Sequence, residues 1–415
     1  MRGLSASWVL IGDATAEPIR DGAVVVDADD CIVAVGPVAQ LREAHPDAEW
    51  EAHAAVLMPG LVNGHAHLEL SALRGAAPGG RGFGPWVAGM LEARGRMSPE
   101  LDMEAIDGAV SELLRCGTVA VGEVTNSLSA VDSLSTAPII GRVFHEVYGM
   151  GREAGEVMRQ MAADQRHEIA SWPPNLSYAP APHTLYTMHP EVACAVVEDA
   201  QQLGTLTSLH LCEHAAERAF LADGGGPFAS FLSARDADPH DWEPPGLDPI
   251  AYAGELGLLR PGVIAVHLAD ARPAELAGVA KSGVAVVLCP RSNLHIELKL
   301  PPLTAILEAG LRPGLGTDSL ASNASLDVLA EARALQARFH TVSPRTLLAM
   351  ATAYGADALG LGHLVGRLAP GLTPGVLAFE HGAELPDDPE GFVLSATGAS
   401  RRLLTRPAGR LEEKS

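Results

Sequence analysis

The chain alternates between two rhythms. Short apolar runs bounded by Gly, Pro or Asp recur at 58–67, 118–124, 138–149, 175–183, 205–214, 263–270, 284–293 and 311–319. Between them, the stretches 100–115, 152–170, 190–203, 272–281, 302–309 and 325–338 repeat apolar residues every three or four positions. The first pattern predicts strands buried on both faces, and the second predicts amphipathic helices. Strands separated by helices pair in parallel through crossover connections. Eight of them close most economically into a (β/α)8 barrel, so the predicted class is α/β with a TIM-like barrel over 58–365.

The flanks read differently. Residues 1–57 hold "SASWVLIG", "GAVVVDADDCIVAVG" and "AEWEAHAAVLM", which are short β runs between turn residues. The tail returns to strand-like runs in "GRLAPGLTPGVLAFE" and "GFVLSATGASRRLLT". The expectation is one discontinuous β-sandwich domain from 1–57 and 366–415. Two Gly/Pro-rich inserts, 77–97 and 223–249, follow the first and fifth barrel strands. Both fall on the C-terminal side of a strand, where barrel enzymes build their sites, so they are candidates to face a substrate.

Composition narrows the function. With 29 basic against 51 acidic residues the formal charge is −22, which excludes a nucleic-acid partner held by basic surface. Five scattered cysteines without a CxxC pair suit a reducing compartment. The N-terminal stretch lacks a signal-type apolar core, and no run of about 20 apolar residues occurs. A cytoplasmic protein without a membrane partner, acting on a small molecule, is expected.

The candidate chemistry sits at strand ends. In "PGLVNGHAH" the period of two points His65 and His67 to the same side. His210 ends the fifth predicted strand, His267 the sixth and Asp318 the eighth. In a barrel these ends converge on one rim. Imidazoles plus a carboxylate suit Zn²⁺ or Fe²⁺, and a bound divalent ion brings the pKa of water near 7. Glu213, three residues after His210, is placed to move protons beside such a site.

Five blocks, "PGLVNGHAH", "HLCEHAAE", "AVHLAD", "CPRSN" and "GLGTDSLASN", together resemble the amidohydrolase superfamily, and within it the mononuclear deaminase and chlorohydrolase branch. The resemblance implies that His65, His67, His210 and Asp318 ligate one metal, zinc or iron. It implies that Glu213 shuttles protons, His267 holds the attacking water and His183 contacts substrate, with Ser322 a further contact. The fourth strand, "NLSYAPAPHT", contains no lysine for the carboxylated bridge of binuclear members, which favours a single metal and deamination. Glu69 in "HAHLELS" and Glu146 in "FHEVYG" resemble the aminodeoxyfutalosine deaminases of menaquinone biosynthesis, and both are expected to face substrate. Arg74 and Arg142 are candidates to hold a substrate carboxylate. The remaining histidines, His214 and His240 among them, are read as surface or packing residues. "PGVLAFE" departs from the Ala-Asp pair common in the superfamily at that point.

The expected reaction is hydrolytic deamination of an aminopurine nucleoside or related amino-heterocycle, with ammonia released. Two rivals stay open: another hydrolase of this scaffold, acting on an aromatic chloride or a cyclic amide, and a metal-binding scaffold whose catalysis has lapsed. Homodimers are common among such relatives, and the residue pattern does not decide the point.

Overall fold

The structure, a computed structural model, describes residues 1–234, 241–396 and 401–411. His240 and the middle of the second insert lie outside the described residues. The strands in chain order are β1 (Arg2–Val9), β2 (Ile19–Val26), β3 (Ile32–Pro37), β4 (Glu49–Pro59), β5 (Leu61–His67), β6 (Thr118–Thr125), β7 (Ile140–Val147) and β8 (Leu176–Pro182), followed by β9 (Thr207–Leu211), β10 (Val263–His267), β11 (Ala285–Leu288), β12 (Gly314–Leu315), β13 (Asp318–Ser319), β14 (Val376–Glu380) and β15 (Arg401–Leu403).

Two parallel sheets carry the middle of the chain, in the orders β13-β5-β6-β7-β8 and β12-β11-β10-β9. Their strands are mostly apolar and buried; every residue of β5, β6, β9 and β10 is buried. The sheets meet at two seams. At one, His210 N–H donates to the His183 carbonyl (3.1 Å) and Thr207 Oγ1 to the Pro180 carbonyl (2.8 Å). At the other, the segment 314–319 touches both sheets: Gly314 and Leu315 pair with β11, while Asp318 and Ser319 pair with β5. Between those pairs, Asn63 accepts the Thr317 N–H (3.1 Å) and donates to its hydroxyl (2.7 Å).

Helices cover the outer faces. Pro99–Arg115 shows how the sequence sets one. Ser98 caps it by accepting the Leu101 N–H, Pro99 fills the first turn, Glu100 and Asp102 face the positive end, and Arg115 faces the negative end. Ile106, Ala109, Val110 and Leu113 form its buried stripe. The other five predicted helices form close to their expected bounds.

Both flanks of the chain build one six-stranded mixed sheet, ordered β15-β14-β4-β1-β2-β3. A sandwich needs a second sheet, and the described flank residues supply one sheet only; the helix Val38–Ala44 packs Leu41 and Val38 beside Ala23 and Val25 on one face. Three local expectations also change. The run 391–395 is helical, within Pro389–Ser395, because Asp388 accepts the Gly391 N–H and Pro389 fits the first turn. The run 284–293 stops as a strand at Leu288, and Pro290 opens the helix Pro290–Glu297. The run 311–319 is two short strands, not one, because Asp318 takes a left-handed φ of 57°. The inserts are also more regular than loops, carrying the helices Phe83–Arg94 and Gly226–Ser233. Among the described residues no helix is long and apolar enough to cross a membrane, and all five cysteines are free.

Arg401 fastens the C-terminal strand to the helical layer. Its guanidinium grips both oxygens of Asp327 (2.7 and 2.8 Å) and donates to the Cys116 carbonyl (2.9 Å). Its side chain is 1% exposed. Burial pushes the Asp327 carboxyl up, but Arg401 and Arg333 outweigh it and hold it below the usual carboxylate range. A depressed folded pKa stabilises at neutral pH, and that stability is lost as pH falls through the folded value. Arg401→Ala should therefore lower unfolding free energy at pH 7 by about 3 kcal/mol, read from urea midpoints. The gap should narrow below pH ~4. An unmoved midpoint at pH 7 would show that this pair contributes nothing.

Candidate active site

The strand ends bring the predicted residues together. His65 and His67 project from β5, His210 from β9, His267 from β10 and Asp318 from β13. The His65 and His67 Nε2 atoms are 3.2 Å apart, and Asp318 Oδ1 lies 3.9 and 3.6 Å from them. His65, His67 and His210 each offer a ligand atom within 4.8 Å of the others. Around a tetrahedral ion with bonds of ~2.0–2.1 Å, neighbouring ligand atoms sit ~3.3 Å apart, so the spacing fits a cation.

Protonation fits as well. Burial, then the neighbouring imidazoles, holds His65 well below the usual histidine range, which leaves its lone pairs free. His210 Nδ1 faces the His183 carbonyl (3.1 Å) and Glu146 Oε1 (3.3 Å), so its Nε2 is the nitrogen left for a metal. Burial opposes charge on this ring, yet Glu146 raises it to about 9, a proton that a bound cation would displace.

The backbone there is strained. Cys212, His267, Leu268 and Asp318 are non-glycine residues with φ of 53°, 80°, 49° and 57°, a conformation costing on the order of 1–3 kcal/mol each. Two features hold it. Glu217 accepts the Cys212 and Glu213 N–H groups (3.1 and 3.0 Å). Gly316 lets its segment approach His65 so closely that an added Cβ would lie 2.7 Å from His65 Cβ.

Glu213 faces this cluster. His214 Nε2 lies 3.1 Å and His267 Nε2 3.6 Å from its Oε2, and Asn293 donates to its Oε1 at 3.4 Å. Burial works against ionisation of Glu213, but His214 and His267 prevail and hold it far below the usual carboxylate range. Asn293 also bonds His267 Nδ1 at 3.2 Å, fixing that ring.

The sequence model of the amidohydrolase family matches residues 56–387. The chain belongs to the amidohydrolase family. It is 30% identical over 351 residues to the aminodeoxyfutalosine deaminase of Deinococcus radiodurans, covering 82% of this chain and 81% of that one. It is 29% identical over 422 residues to a 5-methylthioadenosine/S-adenosylhomocysteine deaminase of Nitratidesulfovibrio vulgaris, covering 96% and 89%. Among solved structures, an adenosine deaminase from Xanthomonas campestris with bound zinc superimposes with a TM-score of 0.81 at 26% identity over 98% and 92% of the two chains. The Helicobacter pylori aminofutalosine deaminase bound to methylthio-coformycin gives 0.84 at 24% identity over 97% and 100%, a likeness of fold.

Within this amidohydrolase site, five expectations of ligand contact meet a different geometry. The Glu69 carboxylate accepts from Thr125 Oγ1, Asn126 N, Ser127 N and Ser127 Oγ (2.8, 3.1, 3.2 and 2.6 Å), so it clamps the loop after β6 and has little acceptor capacity left. Ser322 is fully buried and donates to Asp318 Oδ2 (3.2 Å), beside Ser292, which bonds the same oxygen. It orients Asp318 from behind. Arg74 pairs with Glu112, and Arg142 sits at the opposite end of β7 from Glu146, bonded to the Leu359 carbonyl and Ser177. Glu146 itself is 6% exposed and serves His210.

His183 is the exception. It is partly exposed at the end of β8, with Nδ1 on Thr187 Oγ1 (2.7 Å) and its ring 5.2 Å from that of His210. Burial lowers it to about 4, which keeps the imidazole neutral. Three neighbours of Glu213 escaped the sequence reading. Glu217 had a signal as the N3 acid of the helix that His214 begins. Asn293 closes the block "CPRSN" but was given no role, and Glu297 had no signal, because it approaches from 83 residues away in sequence.

Gly316→Ala should force the 314–319 segment off His65 and weaken metal binding about 10-fold or more. Metal retained after dialysis against a chelator reads this directly. Native retention would show that the close approach does not set the site.

Proposed function

We propose that this chain is a metal-dependent hydrolytic deaminase of an aminopurine nucleoside, with 6-aminodeoxyfutalosine in menaquinone biosynthesis as its substrate. The observation that carries the reading is an ionised Glu213 beside both His267 and Asp318, all three offering atoms within 4.8 Å of one another. Relatives named for deamination of adenosine-type nucleosides support it. We further read the two parallel sheets as one closed barrel over 58–365, with the flanking segments 1–57 and 366–415 as a second unit. We read a reducing cytoplasm as its compartment, a reading its five free cysteines support.

His65, His67, His210 and Asp318 would hold a single divalent ion, zinc by ligand chemistry. When bound, such an ion supplies Lewis acidity that brings the pKa of water to near 7. The residues do the rest. His267, its ring fixed by Asn293, orients the attacking water. Glu213 accepts a proton from that water and delivers it to the ring nitrogen beside the amine-bearing carbon, which becomes electrophilic. After addition, Glu213 carries the second proton to the amine, and ammonia leaves. His183 contacts the substrate as a neutral imidazole. The family's chlorohydrolase reaction would release halide in place of ammonia.

The test is an ammonia-release screen over adenosine, 5-methylthioadenosine, S-adenosylhomocysteine and 6-aminodeoxyfutalosine, with a chlorotriazine as the halide arm. Ammonia from 6-aminodeoxyfutalosine in preference to the others is expected. Halide alone would overturn the reading. Chelation should abolish turnover and Zn²⁺ restore it; restoration by Fe²⁺ alone would reassign the metal. Glu213→Gln should keep its metal and lose turnover on the order of 1000-fold. Near-native turnover in that variant would remove Glu213 from the proton path.

A further inference from the structure

One buried ionisable side chain beside the proton carrier has no part in the steps above. His214 is 1% exposed. Its ring nitrogens face opposite carboxylates: Nε2 lies 3.1 Å from Glu213 Oε2, and Nδ1 lies 3.0 Å from Glu297 Oε1. Nδ1 hydrogen-bonds Glu297, while Nε2 approaches Glu213 at ion-pair distance without hydrogen-bond alignment, a contact that favours the imidazolium.

Glu297 reaches further. The oxygen that faces His214 also accepts the Phe83 N–H at 3.0 Å. Phe83 opens the helix Phe83–Arg94 of the first insert, and its ring packs 4.7 Å from the His214 ring. Phe228, from the second insert, stands edge-on to the same imidazole at 5.9 Å and to Phe83 at 4.7 Å. Aromatics are only 4% of this chain, yet both inserts place one against this histidine. The two oxygens of Glu213 are held unequally as a result. Oε2 has His214 and His267, while Oε1 has Asn293 at 3.4 Å among the described residues.

We propose that His214 and Glu297 form a positioning pair for Glu213, which anchors Oε2, leaves Oε1 to carry the proton, and couples both to docking of the first insert. The proposal deepens the deaminase reading and rests on it. Docked, the insert fixes Glu297, Glu297 fixes the imidazole, and the imidazole fixes the carboxylate. Undocked, Glu297 loses the Phe83 N–H and the imidazole loses its aromatic wall, so proton transfer waits for the insert to settle.

The electrostatics agree with that geometry. Burial opposes the imidazolium, but Glu213 and Glu297 outweigh it and lift His214 to about 10. Glu217, His267, His210, His183, Tyr186 and Asp318 are further titratable groups facing Glu213. Removing the cation relaxes the depression of Glu213, so the acid limb of the pH–rate profile moves to higher pH.

The experiment compares native enzyme, H214Q, E297Q and the double variant. It measures kcat, KM and the pH profile of ammonia release, with bound metal and Tm as controls. Gln at 297 still accepts the Phe83 N–H, so E297Q removes charge and leaves the insert's anchor. H214Q should lower kcat about 10–100-fold with KM little changed and bound metal native. Its acid limb should rise, E297Q should shift the same way by less, and the double variant should lose no more than H214Q. Additive losses, or an unmoved acid limb in folded, metal-replete H214Q, overturn the pair. If H214Q does not fold, E297Q decides: native kcat and an unmoved limb overturn the proposal, and a shifted limb supports it. A native enzyme that releases no ammonia from any aminopurine nucleoside overturns the deaminase reading and the pair together. An active native enzyme with unaltered variants overturns the pair alone.

Discussion

Taking charge out of water costs several kcal/mol per ion even after relaxation, and a protein keeps a buried ion only by surrounding it with partners. That constraint organises the whole region around Glu213. Glu146 is buried and holds His210. Burial outweighs the partners of two other acids and pushes them up instead: Glu217 to about 7, though it accepts two backbone N–H groups at the end of β9, and Glu331 to about 8, where it accepts from the Arg291 N–H and the Asn323 amide and ties the helix Pro290–Glu297 to the loop after β13. Each carboxylate gains its partners and, in return, fixes a side chain or loop that faces the cluster.

The same logic separates residues that meet a ligand from residues that support those that do. A polar side chain beside a buried carboxylate is drawn into satisfying it. Ser322 and Ser292 are drawn to Asp318, and Thr125 and Ser127 to Glu69. His183 keeps one nitrogen free because Thr187 holds the other. Strain follows too: all four left-handed residues near the cluster are, or directly adjoin, a residue whose side chain faces it.

Much of this was legible in the sequence. The parallel strands declare themselves as continuous apolar runs, and His65-x-His67 needs only the period of two to face one side. The convergence of His210, His267 and Asp318 follows from their places at strand ends. The misread parts share a cause. Glu69 and Ser322 were expected to face a ligand, because sequence gives proximity along the chain but not which neighbours claim a side chain's hydrogen bonds. Glu297 and Asn293 act across long sequence separations, which no local pattern encodes. The helix at Pro389–Ser395 carried its signal in Asp388-Pro389, but the β-rich residues after it were weighed more heavily. The segment 311–319 reads as one strand-like run, and the structure breaks it at 316–317, between Gly314–Leu315 and Asp318–Ser319.

That divided segment has a consequence for how the protein comes into being. Asn63 and Thr317 are 254 residues apart and bond side chain to backbone and side chain to side chain. The carboxylate next to Thr317 therefore joins the imidazoles next to Asn63 only after nearly all of the intervening polypeptide has emerged and collapsed. Loop-closure entropy and high contact order make this a late event in folding. A chain cut before Asp318 holds at most three of these imidazole donors and no completed cradle, so the cluster closes only when the segment 314–319 docks.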